Sequence, residues 1–164
     1  MGVAGIFRPG MRGYFVPLVA GATLALSAFL PWVVVDGVMR TGLPDVTALW
    51  VAGLGVFAVV LALLSLITRK NSRHPLLVVG LMALGIMFLA WRVMPRMAGE
   101  HALTVSQATA IVENVPVTTA VNASPGSGIF VGLVAATVLD GFGLTIVVTR
   151  ASQPYVKVEA DDDV

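Results

Sequence analysis

Long apolar runs separated by short polar segments give this chain its pattern. Four runs reach the roughly 20 residues that a helix needs to cross the hydrocarbon core of a bilayer. They cover residues 14–35, 48–67, 76–94 and 128–149. Successive membrane helices with short connections pack as antiparallel neighbours. The pattern therefore predicts an all-α integral membrane protein, in which residues 1–150 form an antiparallel four-transmembrane-helix bundle.

The segments between these runs differ in length. The connection at 69–75 is long enough only for a turn. The segment 36–47 contains Gly37, Gly42 and Pro44, which predict an irregular hairpin connection. The tail at 151–164 is polar and acidic and is typical of a solvated cytoplasmic terminus.

The outer loop 95–127 is longer than a connection normally is without structure of its own. Apolar residues between 103 and 115 are spaced for a short amphipathic helix that faces the membrane or a partner. Pro116 would end this helix. We expect extended backbone at 117–121 and a turn at 124–128 that enters the last span.

The distribution of basic residues predicts the orientation, because short cytoplasmic loops retain Lys and Arg. Seven of the ten lie on one predicted side, namely Arg8, Arg12, Arg69, Lys70, Arg73, Arg150 and Lys157. The other side holds Arg40, Arg92 and Arg96. Both termini are therefore expected to be cytoplasmic.

The three tryptophans, Trp32, Trp50 and Trp91, all fall at predicted outer ends of spans. Tryptophan is enriched at the membrane interface, where its apolar ring keeps the indole nitrogen near water. We expect these residues to be outer interface anchors. A surface for a partner protein is the alternative.

Composition supports the membrane assignment and narrows the chemistry. The chain is 57% hydrophobic and 12% charged, whereas soluble domains carry about 25% charged residues. The formal net charge of +1 provides no field for nucleic acid, which we do not expect as a partner. The sequence has no cysteine, which excludes disulfides and thiolate sites.

The sequence offers little for catalysis or cofactor binding. His74 and His101, the two histidines, fall on opposite predicted sides, so they cannot share a metal ion. Phosphate-binding, hydrolase and zinc-protease motifs are absent from the sequence. We predict no enzyme activity, metal or cofactor. The sequence leaves open whether lipid, quinone or pigment lies between the spans, because shape and backbone contacts alone can hold such molecules.

Small residues recur every fourth position at the start of the last span. Gly128, Gly132, Ala136 and Asp140 share one face of the predicted helix. Membrane helices approach each other most closely at small residues. This face is predicted to serve helix packing within the chain or contact with a partner helix, and internal packing is favoured.

Asp140 is the acidic residue that lies deepest in an apolar run. It is twelve residues from Gly128 and nine from Thr149, hence about 18 Å and 14 Å from these two ends along a helix. Near the bilayer midplane an aspartate costs about 2.5–3.5 kcal/mol, which favours a neutral acid, a polar partner or water. The candidate partners within the chain are Arg92, Thr23, Ser27 and Thr137. Three roles stay open for this acid: structural, contact with another subunit, and proton or cation transport.

Two short motifs carry a resemblance to a known group. Leu30-Pro31-Trp32-Val33 ends the first span, and Ser124-Pro125-Gly126-Ser127-Gly128 opens the last. In these motifs and in its four-span layout the chain resembles a group of small bacterial membrane proteins, frequent in actinobacteria, that are often called tryptophan-associated. The resemblance implies a multi-pass protein of the bacterial inner (cytoplasmic) membrane, and it implies no activity.

Three functional hypotheses follow from the sequence. The first is a non-enzymatic accessory or structural subunit of a larger bacterial inner-membrane complex, which contacts membrane lipids and other integral membrane subunits. The second is a small autonomous transporter or proton-coupled channel that uses Asp140. The third is an enzyme that acts on lipid at the outer surface through Glu100, His101 and Glu113.

Overall fold

The computed structural model describes residues 12–68, 73–116 and 120–151, which form four α-helices and a small sheet. A 3-10 turn at Arg12–Tyr14 leads into the first helix. The elements that follow are α1 (Phe15–Ser27), β1 (Pro31–Val35), β2 (Val38–Thr41), α2 (Val46–Thr68), α3 (Arg73–Glu113), β3 (Ala123–Pro125) and α4 (Ser127–Ala151).

The helices α1 and α2 run in opposite directions where they pack together. On α1 and α2, Gly21 faces Ala58, whereas Ala25, farther along α1, faces the earlier Gly55. The two backbones are so close that a Cβ at Gly55 would lie 2.5 Å from the Ala25 nitrogen. Close approach of this kind is what holds membrane helices together. The core between the helices is built largely from alanine, leucine and other apolar side chains.

Three helices in the described residues are long and apolar enough to cross a membrane: Val46–Thr68, His74–Glu113 and Ser127–Thr145. This agrees with the prediction of a mostly helical membrane protein. The helix α1 is apolar but has 13 residues, and it therefore spans only about 20 Å.

The predicted span at 14–35 is wrong in its second half. The helix ends at Ser27, and the same apolar run continues as strand β1. Pro31 disfavours helical backbone in the residue before it, and the β-branched run Val33–Val35 favours a strand. The mostly helical protein, consistent with the predicted all-α class, thus also contains a small sheet.

The sheet has the order β2-β1-β3, and both pairings are antiparallel. Asp36 and Gly37 connect β1 to β2 with φ angles of 48° and 82°, as a two-residue type I′ turn requires. A tight hairpin thus forms where an irregular connection was predicted. On the other side of β1, the Gly126 N–H donates a hydrogen bond to the Trp32 carbonyl (2.7 Å). The sheet therefore ties the hairpin to the beginning of α4, and we call this end of the bundle the sheet end.

The helix α3 is much longer than the predicted span at 76–94. It continues through Pro95, which is buried, and ends at Glu113. Proline lacks the N–H that would bond the Trp91 carbonyl, but membrane helices tolerate this loss when neighbouring elements support them, and β1 and β3 both contact α3. The expected short helix at 103–115 is accordingly the end of α3 and not a separate element.

Asn114 ends α3 close to the predicted stop at Pro116. Its φ angle is 51°, and the Val115 N–H bonds the Ala110 carbonyl (3.1 Å), which is the pattern of a Schellman C-cap. Gly99 lies opposite Ala123 of β3. The residues after it, 100–113, continue α3 for about 21 Å, and we call this segment the α3 overhang. Its first turn still contacts the bundle, because Ala102 packs against the core.

Some sequence predictions concern residues that the structure does not describe. They include the basic residues Arg8, Arg69, Lys70 and Lys157, the extended segment at 117–119 and the acidic tail from 152 onward.

Candidate functional site

Asp140 lies on α4 and packs against Gly80 of α3. The residue is 6% exposed. A Cβ at Gly80 would overlap the Asp140 carboxylate, with Oδ1 as its nearest neighbour. The missing side chain at position 80 therefore makes the space that the acid occupies. Nothing in the sequence pattern identified Gly80 as the neighbour of this acid.

Neither carboxylate oxygen of Asp140 has a hydrogen-bond partner within residues 12–68, 73–116 and 120–151. The predicted hydroxyl partners donate inside their own helices: Thr23 to Val19, Ser27 to Leu24 and Thr137 to Leu133. Arg92 is exposed and is about 18 Å farther along α3 than Gly80. A charged, unpaired carboxylate in this place would be costly, so the arrangement favours the neutral acid.

Asp140 is not at the middle of the bundle, where its position in the last apolar run placed it. Gly80 is seven residues from the start of α3, about 10 Å along the helix axis. One half-turn beyond Asp140, Phe142 makes an edge contact with Tyr14, the residue before α1 (ring centroids 5.3 Å apart). The acid is thus nearer the end opposite the sheet, because α4 extends beyond the first turn of α1.

The small-residue face of α4 is used inside the chain. Gly128 faces Trp32 and the Ser27 carbonyl, Gly132 faces Met87, and Ala136 is fully buried. Together with Asp140 against Gly80, these contacts are those of helix packing, one of the two uses predicted for this face. They leave no small-residue groove there for a foreign helix.

Trp32 lies inside the protein, with 1% of its surface exposed. Its indole is held between Gly42 and Gly128: a Cβ at either glycine would lie 2.7 Å from the ring. The indole N–H donates to the Ser27 carbonyl (2.8 Å), one of the carbonyls that the end of α1 leaves without an intrahelical partner. This burial corrects the predicted role of Trp32 as an outer anchor. The other two tryptophans are 62% (Trp50) and 39% (Trp91) exposed.

A second feature, which sequence reasoning missed, is a groove at the sheet end between the hairpin, the start of α2 and the middle of α3. We call it the hairpin groove. Its volume is about 790 Å³. Apolar side chains of α3 and Trp50 of α2 form its walls, and Arg40, Asp45 and His101 lie at its polar rim. Only the tight hairpin and the continuous α3 bring these residues together, and neither was predicted.

The acidic and histidine residues proposed for lipid chemistry all lie at the α3 overhang. Glu100, His101 and Glu113 are exposed, and Glu113 is about 18 Å from His101 along the helix. The structure therefore does not assemble the three into one site. In the described ranges, no group of three His, Cys, Asp or Glu residues is placed to hold a metal ion.

Comparison with known proteins adds no further assignment. No protein-family model, no curated protein and no solved structure matches the chain. The resemblance to the four-span tryptophan-associated group stays a prediction that rests on its two motifs.

Proposed function

We propose that this protein is a non-enzymatic accessory or structural subunit of a larger complex in the bacterial inner membrane, and that it contacts its partner through the α3 overhang. One observation carries the proposal. The overhang presents Ile111 and Val112 to solvent, 78% and 85% exposed.

The exposed apolar side chains of the overhang favour its binding to another surface. Apolar side chains that cluster on an exposed helix commonly mark an interaction site. Val105 and Val112 are one heptad apart and share a face. A partner protein that covers this face would stabilise it.

The rest of the bundle is less suited to docking. The small-residue face of α4 is already occupied by Trp32, Met87 and Gly80. The proposed orientation, with both termini cytoplasmic, rests on the seven basic residues on one side. In that orientation the sheet and the overhang lie on the outer side, so the partner would present an outer surface.

Site-specific cross-linking tests this proposal in the native membrane. A photoreactive residue at Val112 is expected to form a discrete heavier product with another protein. Val134, an exposed apolar residue on α4 away from the overhang, is the matched control and should contact lipid only. Cross-links at neither position, or equal cross-links at both, would contradict docking through the overhang.

A second candidate function is proton-coupled transport through Asp140, which is favoured by its buried carboxylate without a partner in the described residues. In proteoliposomes, Asp140→Asn should then abolish proton flux while the fold is retained. The accessory-subunit proposal expects no flux from the wild-type protein.

A further inference from the structure

The hairpin groove lies where a membrane surface should meet the protein. The helix α2 has 23 residues and is about 34 Å long, slightly more than the ~30 Å hydrocarbon core. Its ends therefore fall near the two headgroup regions. Val46 and Thr47, at its start, line the groove. The mouth of the groove is consequently at headgroup level.

The walls below the mouth face the hydrocarbon region. This part is lined by Ile86, Leu89 and Val93 of α3 and by Trp50 of α2. Leu89 and Trp50 are exposed on the outside of the bundle. The groove is therefore open sideways to the bilayer. Its volume of about 790 Å³ lies in the range of small-molecule sites, ~300–1,000 Å³. An apolar groove in such a position fills with hydrocarbon.

The rim of the groove carries a cation. Arg40 is exposed on β2, and its guanidinium has no ion pair or hydrogen bond with the part of the chain that the structure describes. The other rim groups are Asp45 and His101. Asp45 is engaged at the start of α2, where its Oδ1 accepts the Thr47 N–H (2.8 Å) as an N-cap does. Arg40 is thus left to bind an anion.

We propose that the hairpin groove binds a membrane phospholipid with an anionic headgroup. The acyl chains lie against the apolar wall of α3 and Trp50, and the headgroup phosphate accepts hydrogen bonds from Arg40. Guanidinium groups bind phosphate oxygens strongly because two N–H donors match two oxygens. This lipid site is independent of the protein contact proposed for the overhang.

A helix from another subunit fits the groove less well. Membrane helices pack closely against small residues, whereas this wall carries Trp50, Leu89, Val93 and Met97. Acyl chains adapt to such an uneven surface. The charge at the rim also matches a lipid headgroup at the same depth.

Quenching of tryptophan fluorescence by brominated lipids tests the proposal. The full chain with Trp91→Phe retains Trp50 and the buried Trp32, both of which line the groove. It is placed in phosphatidylcholine nanodiscs with a minor fraction of brominated phosphatidylglycerol or brominated phosphatidylcholine. One basic residue near the membrane surface strengthens the binding of an anionic lipid about fivefold. We therefore expect the brominated anionic lipid to quench about fivefold more strongly than the brominated phosphatidylcholine.

Variants identify the residue responsible. Arg40→Gln should reduce the ratio of the two quenching efficiencies to about one, and Arg40→Lys should restore most of the preference. Arg92→Gln is the matched control, because Arg92 is exposed on α3 but does not line the groove, and it should leave the ratio unchanged. Added salt should lower the ratio in the unaltered chain, which tests the charge without a variant.

Three results would overturn the proposal. The first is equal quenching by both lipids in the chain with Arg40. The second is an equal loss of preference in Arg40→Gln and Arg92→Gln. The third is the absence of tryptophan quenching by either lipid, which would mean that protein rather than lipid fills the groove.

Discussion

Trp32 and Gly128 are in direct contact, and a Cβ at position 128 would lie 2.7 Å from the indole Cδ1. The residues belong to the two motifs on which the family resemblance rests, one at the end of the first apolar run and one at the start of α4. Gly126 completes the contact by lying against the Pro31 carbonyl. The two motifs therefore form one structural unit, which gives a physical reason for their occurrence in the same chain.

Gly128→Ala is expected to destabilise the protein by about 1–3 kcal/mol, because the added methyl group would displace the buried indole. Gly141→Ala is the matched control, since Gly141 lies on the same helix and no atom of another element in the described residues is within 4 Å of where its Cβ would be. It should be neutral or stabilise the protein by about 0.5–1 kcal/mol. Unfolding in detergent measures both, and equal effects would contradict the packing described for Trp32.

Trp32→Phe should lower the free energy of unfolding by about 1–3 kcal/mol, because the smaller ring leaves a gap at a fully buried position and the indole hydrogen bond to the Ser27 carbonyl is lost. That carbonyl keeps the Leu30 N–H as its donor (3.2 Å). Trp91→Phe should change it by no more than about 0.5 kcal/mol, as for a typical surface substitution. Thermal unfolding of the two variants provides the comparison. A larger loss in Trp91→Phe would show that Trp32 is not the structural residue.

Gly80 and Asp140 should be energetically coupled. Gly80→Ala is expected to cost about 1–3 kcal/mol in the wild-type background, since the methyl group and the carboxylate compete for one space. In an Asp140→Ala background the same change should cost less, with a coupling energy of about 0.5–3 kcal/mol.

Gly85→Ala on the same helix is the control for that cycle, because within the described residues no atom of another element lies within 4 Å of where its Cβ would be. It should be independent of Asp140. A coupling energy of zero for Gly80 would mean that the acid does not occupy the space beside it.

Asn114→Ala should loosen the end of the α3 overhang. Asn114 has a left-handed backbone conformation, in which an alanine is about 1–2 kcal/mol less stable than a residue that tolerates it. Asn114→Gly should preserve the cap. Hydrogen exchange of residues 106–113 measures the effect, and the melting temperature of the bundle should stay the same. Unchanged exchange in Asn114→Ala would argue against the cap.

The apolar pattern predicted the helical character of the protein but not where each helix ends. The predicted span at 48–67 lies within α2, whose composition is apolar throughout. The run at 14–35 was misassigned because an apolar stretch rich in β-branched residues fits a buried strand as well as a helix. The Asp36-Gly37 pair was the available signal for the hairpin. Pro95 suggested a helix end, but α3 continues through it and contacts both β1 and β3.

The candidate sites depended on contacts between elements, which a pattern along one helix does not specify. The small-residue face of α4 was visible in the sequence, and so was the unusual Asp140. That Gly80 makes room for this acid, and that Gly128 makes room for Trp32, could not be read from four-residue spacing. The hairpin groove required both the hairpin turn and the full length of α3.

The most direct test of the central claim is the mass of the particle that contains this protein after gentle extraction from its native membrane. Native mass spectrometry should find it in a stoichiometric assembly with other membrane proteins. Val112→Asp should release it from this assembly, whereas Thr109→Asp, which adds the same charge to an exposed polar position of the overhang, should not. A wild-type protein found only as a monomer or homo-oligomer would contradict the accessory-subunit proposal.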